Sequence, residues 1–452
     1  MKKYVCLSFC FGFLFLESCK KSTYESNEDT QLNKLNFQSK DSKSCENAQF
    51  NKVYGGSIDE GIYSLIADKT GGYLFAGWTI SNDGNVSGNH GIGDAWIAAI
   101  GCQGNLKWKK TLGGSLDESA NQIIPAADGG FLFIGNAASS DGDVTGNRSS
   151  PDAWVVKFNN GGNIVWQKTF GDVRSDAGAS VAATIDGGYV LLIDSDADAS
   201  GQVANNNVWV IKIDKDGNQL WKTELNDPAS DLGRKIIVTG DNGFLLVGSS
   251  EPAESGIADA WAVKLDAAGN TLWEKKYGGS NIDIFTSVIN TQDGGYAAVG
   301  FTNSVDGDVV GKHPGSDPFG FRESMDVWVV KIDAGGNIQW QKPYGGSADD
   351  QGSTIVSTAN GYAIGGNTFS NDGDVTFNHN EFNDAWLVEV DAGGNLLWQK
   401  TYGGTGRFGD VFTTIVTKPG GGYVLGGATN SNDGDITGSH GMQDAWIITA
   451  SH

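Results

Sequence analysis

Five loops of this chain carry acidic residues at a spacing suited to a hard cation: Asp83-Gly-Asn85, Asp141-Gly-Asp143, Asp306-Gly-Asp308, Asp372-Gly-Asp374 and Asp433-Gly-Asp435. Alternating oxygens around a glycine are what Ca²⁺ takes, although six to eight ligands would also require backbone carbonyls or water. The same triplet is turn chemistry, with carboxylates accepting nearby backbone N–H groups, and the sequence leaves both readings open. Each loop ends on a further acid just before a tryptophan-bearing strand: Asp94, Asp152, Asp326, Asp384 and Asp444. A separate run, Asp194-Ser-Asp196-Ala-Asp198, looks more like a calcium loop but has Asn205 where an EF-hand places its bidentate glutamate. A shorter loop carries only Glu251 and Glu254.

Histidine offers less chemistry than its positions first suggest. His90, His313, His379 and His440 each stand seven residues after the first aspartate of their own loop. Recurrence at one loop position argues for a repeated structural residue and against a unique general base. Clustered carboxylates leave open a paired-acid site for glycoside cleavage. No nucleophile–base pair stands out. One loop is about nine residues longer than its equivalents and holds Phe319, Phe321 and Arg322, residue types that anchor interfaces.

The elements that position these loops are repeated. One tryptophan series, Trp96, Trp154, Trp209, Trp261, Trp328, Trp386 and Trp446, steps by 58, 55, 52, 67, 58 and 60 residues. A second, Trp108, Trp166, Trp221, Trp273, Trp340 and Trp398, follows a Gly-Asn turn. Each unit shows four strand signals, here named a to d, with glycine-bearing turns between a and b and between c and d. A period near 58 suits a four-stranded propeller blade. The last unit ends after strand c, and Gln49 to Gly56 supplies an orphan strand d with Phe50 in the tryptophan place. The expected fold is all-β, a seven-bladed β-propeller of four-stranded blades whose ring is closed by the N-terminal strand completing the last blade. Its b–c and d–a loops share one face, the acidic one.

Composition agrees and sets limits. The 452 residues hold 66 glycines but only 8 prolines, and acids exceed bases 54 to 31, for a net charge of −23. Such a charge repels nucleic acid, so no nucleic-acid partner is expected. A monomer is expected.

Residues 1–18 read as an export signal: Lys2 and Lys3, an apolar run from Tyr4, then Leu16-Glu17-Ser18-Cys19. That ending resembles a bacterial lipobox, which implies acylation of Cys19 and membrane attachment through the lipid. Residues 19–46 are a polar tether, and residues 47–452 form the propeller. Of the five cysteines, Cys45 and Cys102 remain after processing, and alignment of the repeats brings them to neighbouring blades where a disulfide could form.

The unit Asp-Ala-Trp, Asp-x-x-Gly-Asn-x-x-Trp and Trp398-Gln-Lys-Thr-Tyr-Gly-Gly404 resembles the β-propeller repeats of exported lipoproteins of Bacteroidota, and more distantly the tryptophan repeat of quinoprotein-like propellers. The resemblance implies an exported, lipid-anchored protein of the cell envelope, on the periplasmic or the outer side of the outer membrane. It is specific for fold and weak for function. The expectation is a binding module for a glycan or an envelope protein, working through the acidic loop face. The alternative is a hydrolase or lyase acting on polysaccharide. No cofactor is implied beyond calcium in the loops.

Overall fold

A computed structural model describes residues 47–147, 150–196, 206–225, 229–252, 257–316, 322–379, 382–418 and 420–451. The chain divides into two units, residues 1–36 and 37–452, and the described residues belong to the second. Cys19, Cys45, Asp198, Phe319 and Phe321 lie outside the described residues.

Strands come in seven four-stranded antiparallel sheets, and six of these take four strands in chain order. In blade 1 they are a, Glu60–Ala67; b, Tyr73–Thr79; c, Asp94–Ile100; and d, Leu106–Leu112. The seventh sheet joins Asp410–Thr417, Tyr423–Thr429 and Asp444–Ala450 to Asn51–Tyr54 from the other end of the described chain. Asn51 pairs with Ile448 and Tyr54 with Ala445 in that join. Fold class and closure are therefore as the repeats predict. No helix of the described residues is long and apolar enough to cross a membrane.

The two tryptophan series do different work. The strand-c rings Trp96, Trp154, Trp261, Trp328, Trp386 and Trp446 are fully buried between blades. At roughly 25 cal/mol per Å² of apolar surface each such ring contributes on the order of 4–6 kcal/mol before entropy is subtracted. The strand-d rings are half-buried and grip the c–d turn of the next blade. Trp166, Trp273 and Trp340 donate Nε1–H to the carbonyls of Lys215, Ala334 and Ala392, each at 3.1 Å. The turn glycine there has no alternative. Gly394 sits at φ +77°, and a Cβ on it would meet Trp340 at 2.8 Å. At the closure Phe50 plays the tryptophan part, 2.7 Å from a Cβ placed on Gly104.

Strand a carries a bulge in all seven blades, between Ile62 and Ser64 in blade 1 and at matching places elsewhere. Several bulge side chains tie one strand a to the next. Thr413 donates to Ile62 O, Asn121 to Gly178 O and Thr286 to Gly352 O.

Candidate functional site: the carboxylate-pinned loop face

Each Asp-Gly-Asp loop holds the d–a segment that precedes strand a of its own blade. Asp83, Asp141, Asp306 and Asp372 accept the backbone N–H of Ser57, Ser115, Ser280 and Ser347 through Oδ1 at 2.7–2.8 Å. Asp433 does the same for Thr405 N at 2.6 Å. The third residue of the triplet reaches the glycine after strand d: Asp143 Oδ2 to Gly113 N, Asp308 to Gly278 N, Asp374 to Gly345 N and Asp435 to Gly403 N, at 3.2–3.3 Å. Asn85 Oδ1 does so for Gly55 N at 3.3 Å. The triplet thus staples two loops together. The N–H donors hold the Asp141, Asp372 and Asp433 carboxyls below the usual carboxylate range, with the Thr405 hydroxyl acting first at Asp433.

The acids at the strand starts behave differently, and here the structure revises their placement. Glu60, Glu118, Asp283 and Asp350 open strand a, and Asp94, Asp152, Asp326, Asp384 and Asp444 open strand c; all nine are buried. Several of them, in place of ending a loop, lie in pairs across the blade seams. A Cβ on Gly55 would stand 2.0 Å from Asp444 Oδ1 and 2.4 Å from Glu60 Oε2. Gly113 lies likewise between Asp94 and Glu118, and Gly403 between Asp384 and Asp410. The absent Cβ is what lets the carboxylates converge there.

The strand-a acid of each pair is well satisfied. Asp350 accepts Gly346 N and Ser370 Oγ–H, both at 2.8 Å, and the Thr368 hydroxyl. Its strand-c partner is not: Oδ1 of Asp94, Asp326 and Asp384 is buried without a hydrogen-bond partner. One proton held between the two carboxyls of a pair would satisfy that oxygen. Burial pushes Asp94, Asp326, Asp384 and Asp410 above the usual range, and Asp350 up to about 7.

The loop histidines cap these strand-c acids. Nδ1 of His90, His313 and His379 lies 2.7, 2.8 and 2.6 Å from Oδ2 of Asp94, Asp326 and Asp384. The backbone N–H of the same histidine donates to the same oxygen. On the far side His313 Nε2 is 3.9 Å from Asp374 Oδ2 and His379 Nε2 4.0 Å from Asp435 Oδ2, each in the next blade. The repeated histidine is a seam residue, as its recurrence implies.

Blade 3 departs from the pattern. Asp194 and Asp196 belong to strand b, Tyr189–Asp196, where a loop was expected. Asp194 accepts Gly233 N from the next blade at 2.7 Å, and burial raises its carboxyl to about 7. A cleft of about 450 Å³ opens beside this blade, lined among others by Arg174, Trp209, Lys222 and Glu224. Lys222 Nζ lies 2.9 Å from the centroid of the Trp209 ring. In the long blade-5 loop Arg322 is turned inward, its Nη2 donating to Asp349 Oδ2 at 2.8 Å. Cys102 is disulfide-bonded. Among the described residues no group of three or more His, Cys, Asp or Glu side chains could hold a metal ion.

Fold and site together define a seven-bladed β-propeller whose loop face is stapled by its own carboxylates. No protein-family profile and no curated protein matches the chain. Solved structures do. A Bacteroides caccae protein of unknown function is 14% identical, covering 68% of this chain and 90% of its own, with a TM-score of 0.38. Sqt1 of Chaetomium thermophilum is 11% identical over 83% of this chain and 82% of its own (TM-score 0.43). An apocarotenoid oxygenase of Synechocystis is 10% identical over 86% and 90% (TM-score 0.42). No role is carried from them to this chain.

Proposed function

We propose that this chain is a lipid-anchored β-propeller of the bacterial cell envelope, of the kind its repeat resembles in Bacteroidota, that binds a glycan or a protein through its b–c and d–a loop face. One observation carries the reading. At five blades the carboxylates of the loop triplet are committed to backbone N–H groups of the adjoining loop, so the triplets and d–a segments of those blades are held in one shape before any partner arrives. A preformed surface loses little conformational entropy on binding. The membrane is reached through acylated Cys19, and Phe319, Phe321 and Arg322 of the blade-5 loop are proposed as further partner contacts.

Calcium is the one cofactor this reading admits, at Asp83, Asp141, Asp143, Asp306, Asp308, Asp372, Asp374, Asp433 and Asp435. The N–H bonds described above support the turn role for these side chains, which then need no ion. A polysaccharide hydrolase or lyase is the competing activity.

The test immobilises the mature chain and offers a glycan array and the soluble proteins of the producing cell's envelope, while products released from each glycan are assayed. Saturable binding that substitutions on the loop face abolish, with no products, is expected. Released products would overturn the binding role. Absence of a lipid label from Cys19→Ser, and its presence on the unaltered chain, checks the anchor.

A further inference from the structure

At six of the seven blade seams the residue two before the strand-c acid lies beside the residue two before the next blade's strand-a acid; strand c of blade 3 opens on Asn206 and has no such acid. Three consecutive seams carry large apolar side chains at both places. They are Phe382 with Phe408, Met442 with Ile58, and Ile92 with Leu116, from blade 6 around the closure to blade 2. The backbones join two of the pairs directly, Met442 N donating to Ile58 O and Ile92 N to Leu116 O, both at 3.2 Å; at the third seam the residues next along are joined, Asp410 N donating to Asn383 O at 2.8 Å. All six side chains are exposed, from 40% for Ile58 and Phe382 to 71% for Phe408. Three other seams do not carry large apolar side chains at both places: Ser150 with Arg174, Ile257 with Asn281 and Ser324 with Ala348. Val173, Val305 and Val310 are also exposed on this face, but singly.

Six exposed apolar side chains on neighbouring seams are more than scattered surface hydrophobes. They are interleaved with acids: Asp83, Asp117, Asp141 and Asp433 are exposed beside them, with Arg407 as the basic neighbour of Phe408. Four of the six are aliphatic or methionine, which pack against apolar side chains, whereas sugar rings favour flat aromatic faces. An acidic surround excludes anionic lipid and favours a cationic partner.

We infer that this arc is a docking surface for a polypeptide segment in which lysine or arginine alternates with apolar side chains. The inference rests on the binding role proposed above and names its partner class.

The probe is a synthetic peptide of alternating lysine and leucine, titrated against the mature chain by fluorescence anisotropy at two salt concentrations. Controls are a lysine–serine and a glutamate–leucine peptide of equal length. The lysine–leucine peptide should bind at least about ten-fold more tightly than either control, and more weakly at the higher salt. Phe408→Ser with Met442→Ser, and separately Ile92→Ser with Leu116→Ser, should each weaken it by about ten-fold. Both pairs are exposed, so melting curves should match the unaltered chain. Ile185→Ser, in an a–b turn on the opposite face, should leave binding unchanged. Equal binding of the lysine–serine peptide, no binding at all, or indifference to both seam variants overturns the inference. If those variants still abolish capture of an envelope protein or glycan, only the partner class has failed; if they do not, the binding role of this arc fails with it.

Discussion

Asp384 and Asp410 belong to neighbouring blades yet converge on Gly403, so that a Cβ there would lie 2.6 Å from one carboxylate and 2.7 Å from the other. Burial raises both carboxyls, as it does Glu60, Asp94, Asp283 and Asp326, and it brings Asp194 and Asp350 to about 7. A raised carboxyl takes up a proton on folding. Its contribution to stability is therefore full below the unfolded carboxylate range and is lost as pH rises through the folded value. His90, raised by its bond to Asp94, acts in the same sense and loses its contribution above its raised value. The melting temperature should be higher at about pH 5.5 than at about pH 8.

That trend must reverse in strong acid. Asp186, Asp241 and Asp293 are drawn down to about 2 against the burial that would raise them, by hydroxyls and by Lys212, Lys264 and Lys331. These groups stabilise the fold above their unfolded range and cease to as pH falls through about 2. A melting temperature that rises steadily from pH 5.5 to 8 would contradict the paired-carboxyl reading.

Phe50 packs the ring closure, alongside side-chain bonds of Tyr54 and Asn51. Phe50→Ala removes the ring that grips Gly104 and should cost about 3 kcal/mol in denaturant unfolding. Gly104→Ala, at φ +77° and 2.7 Å from Phe50 Cδ2, should cost about 1–3 kcal/mol. A loss near zero for both would mean that the N-terminal strand does not complete blade 7.

The loop triplets give a clean contrast between turn and metal. Melts of the mature chain in excess EDTA and in millimolar calcium should superimpose. Asp141→Ala should lower both melts by the same amount, because what it removes is an acceptor for Ser115 N. A calcium-dependent rise that Asp372→Ala with Asp374→Ala abolishes would place an ion in the loop instead.

Cys102 lies in the c–d turn of blade 1, two residues before the Gly104 that Phe50 packs against. Peptide mapping without reduction should recover Cys102 joined to Cys45, and reduction should lower the melting temperature, by about 2–4 kcal/mol of stability. A peptide joining Cys102 to any other residue would contradict the pairing.

The tryptophan spacing and the split last blade made the fold legible, because both express packing that recurs every blade. The seam carboxylates were not legible in the same way. Glu60 and Asp350 each follow a glycine pair and open a strand, which reads locally as a solvated loop end. Their partners are distant in sequence: Asp444 meets Glu60 only because the ring closes. A signal was present in Thr368-Phe-Ser370 and its equivalents at the end of strand b, whose hydroxyls hold the strand-a acid. Asp194 misled for a related reason. Alternating acids suit a strand as well as a calcium loop, and it is the burial of Asp194 against the neighbour's Gly233 N–H that distinguishes them. The apolar seams were invisible until topology placed residues such as Ile92 and Leu116 side by side.

The central claim is that the loop face is the contact surface. Amide hydrogen exchange of the mature chain, with and without its captured envelope partner, tests it most directly. New protection should fall on the b–c and d–a loops around Phe408, Met442, Ile58 and Leu116 and leave the a–b and c–d turns unchanged. Protection confined to those turns would contradict the account.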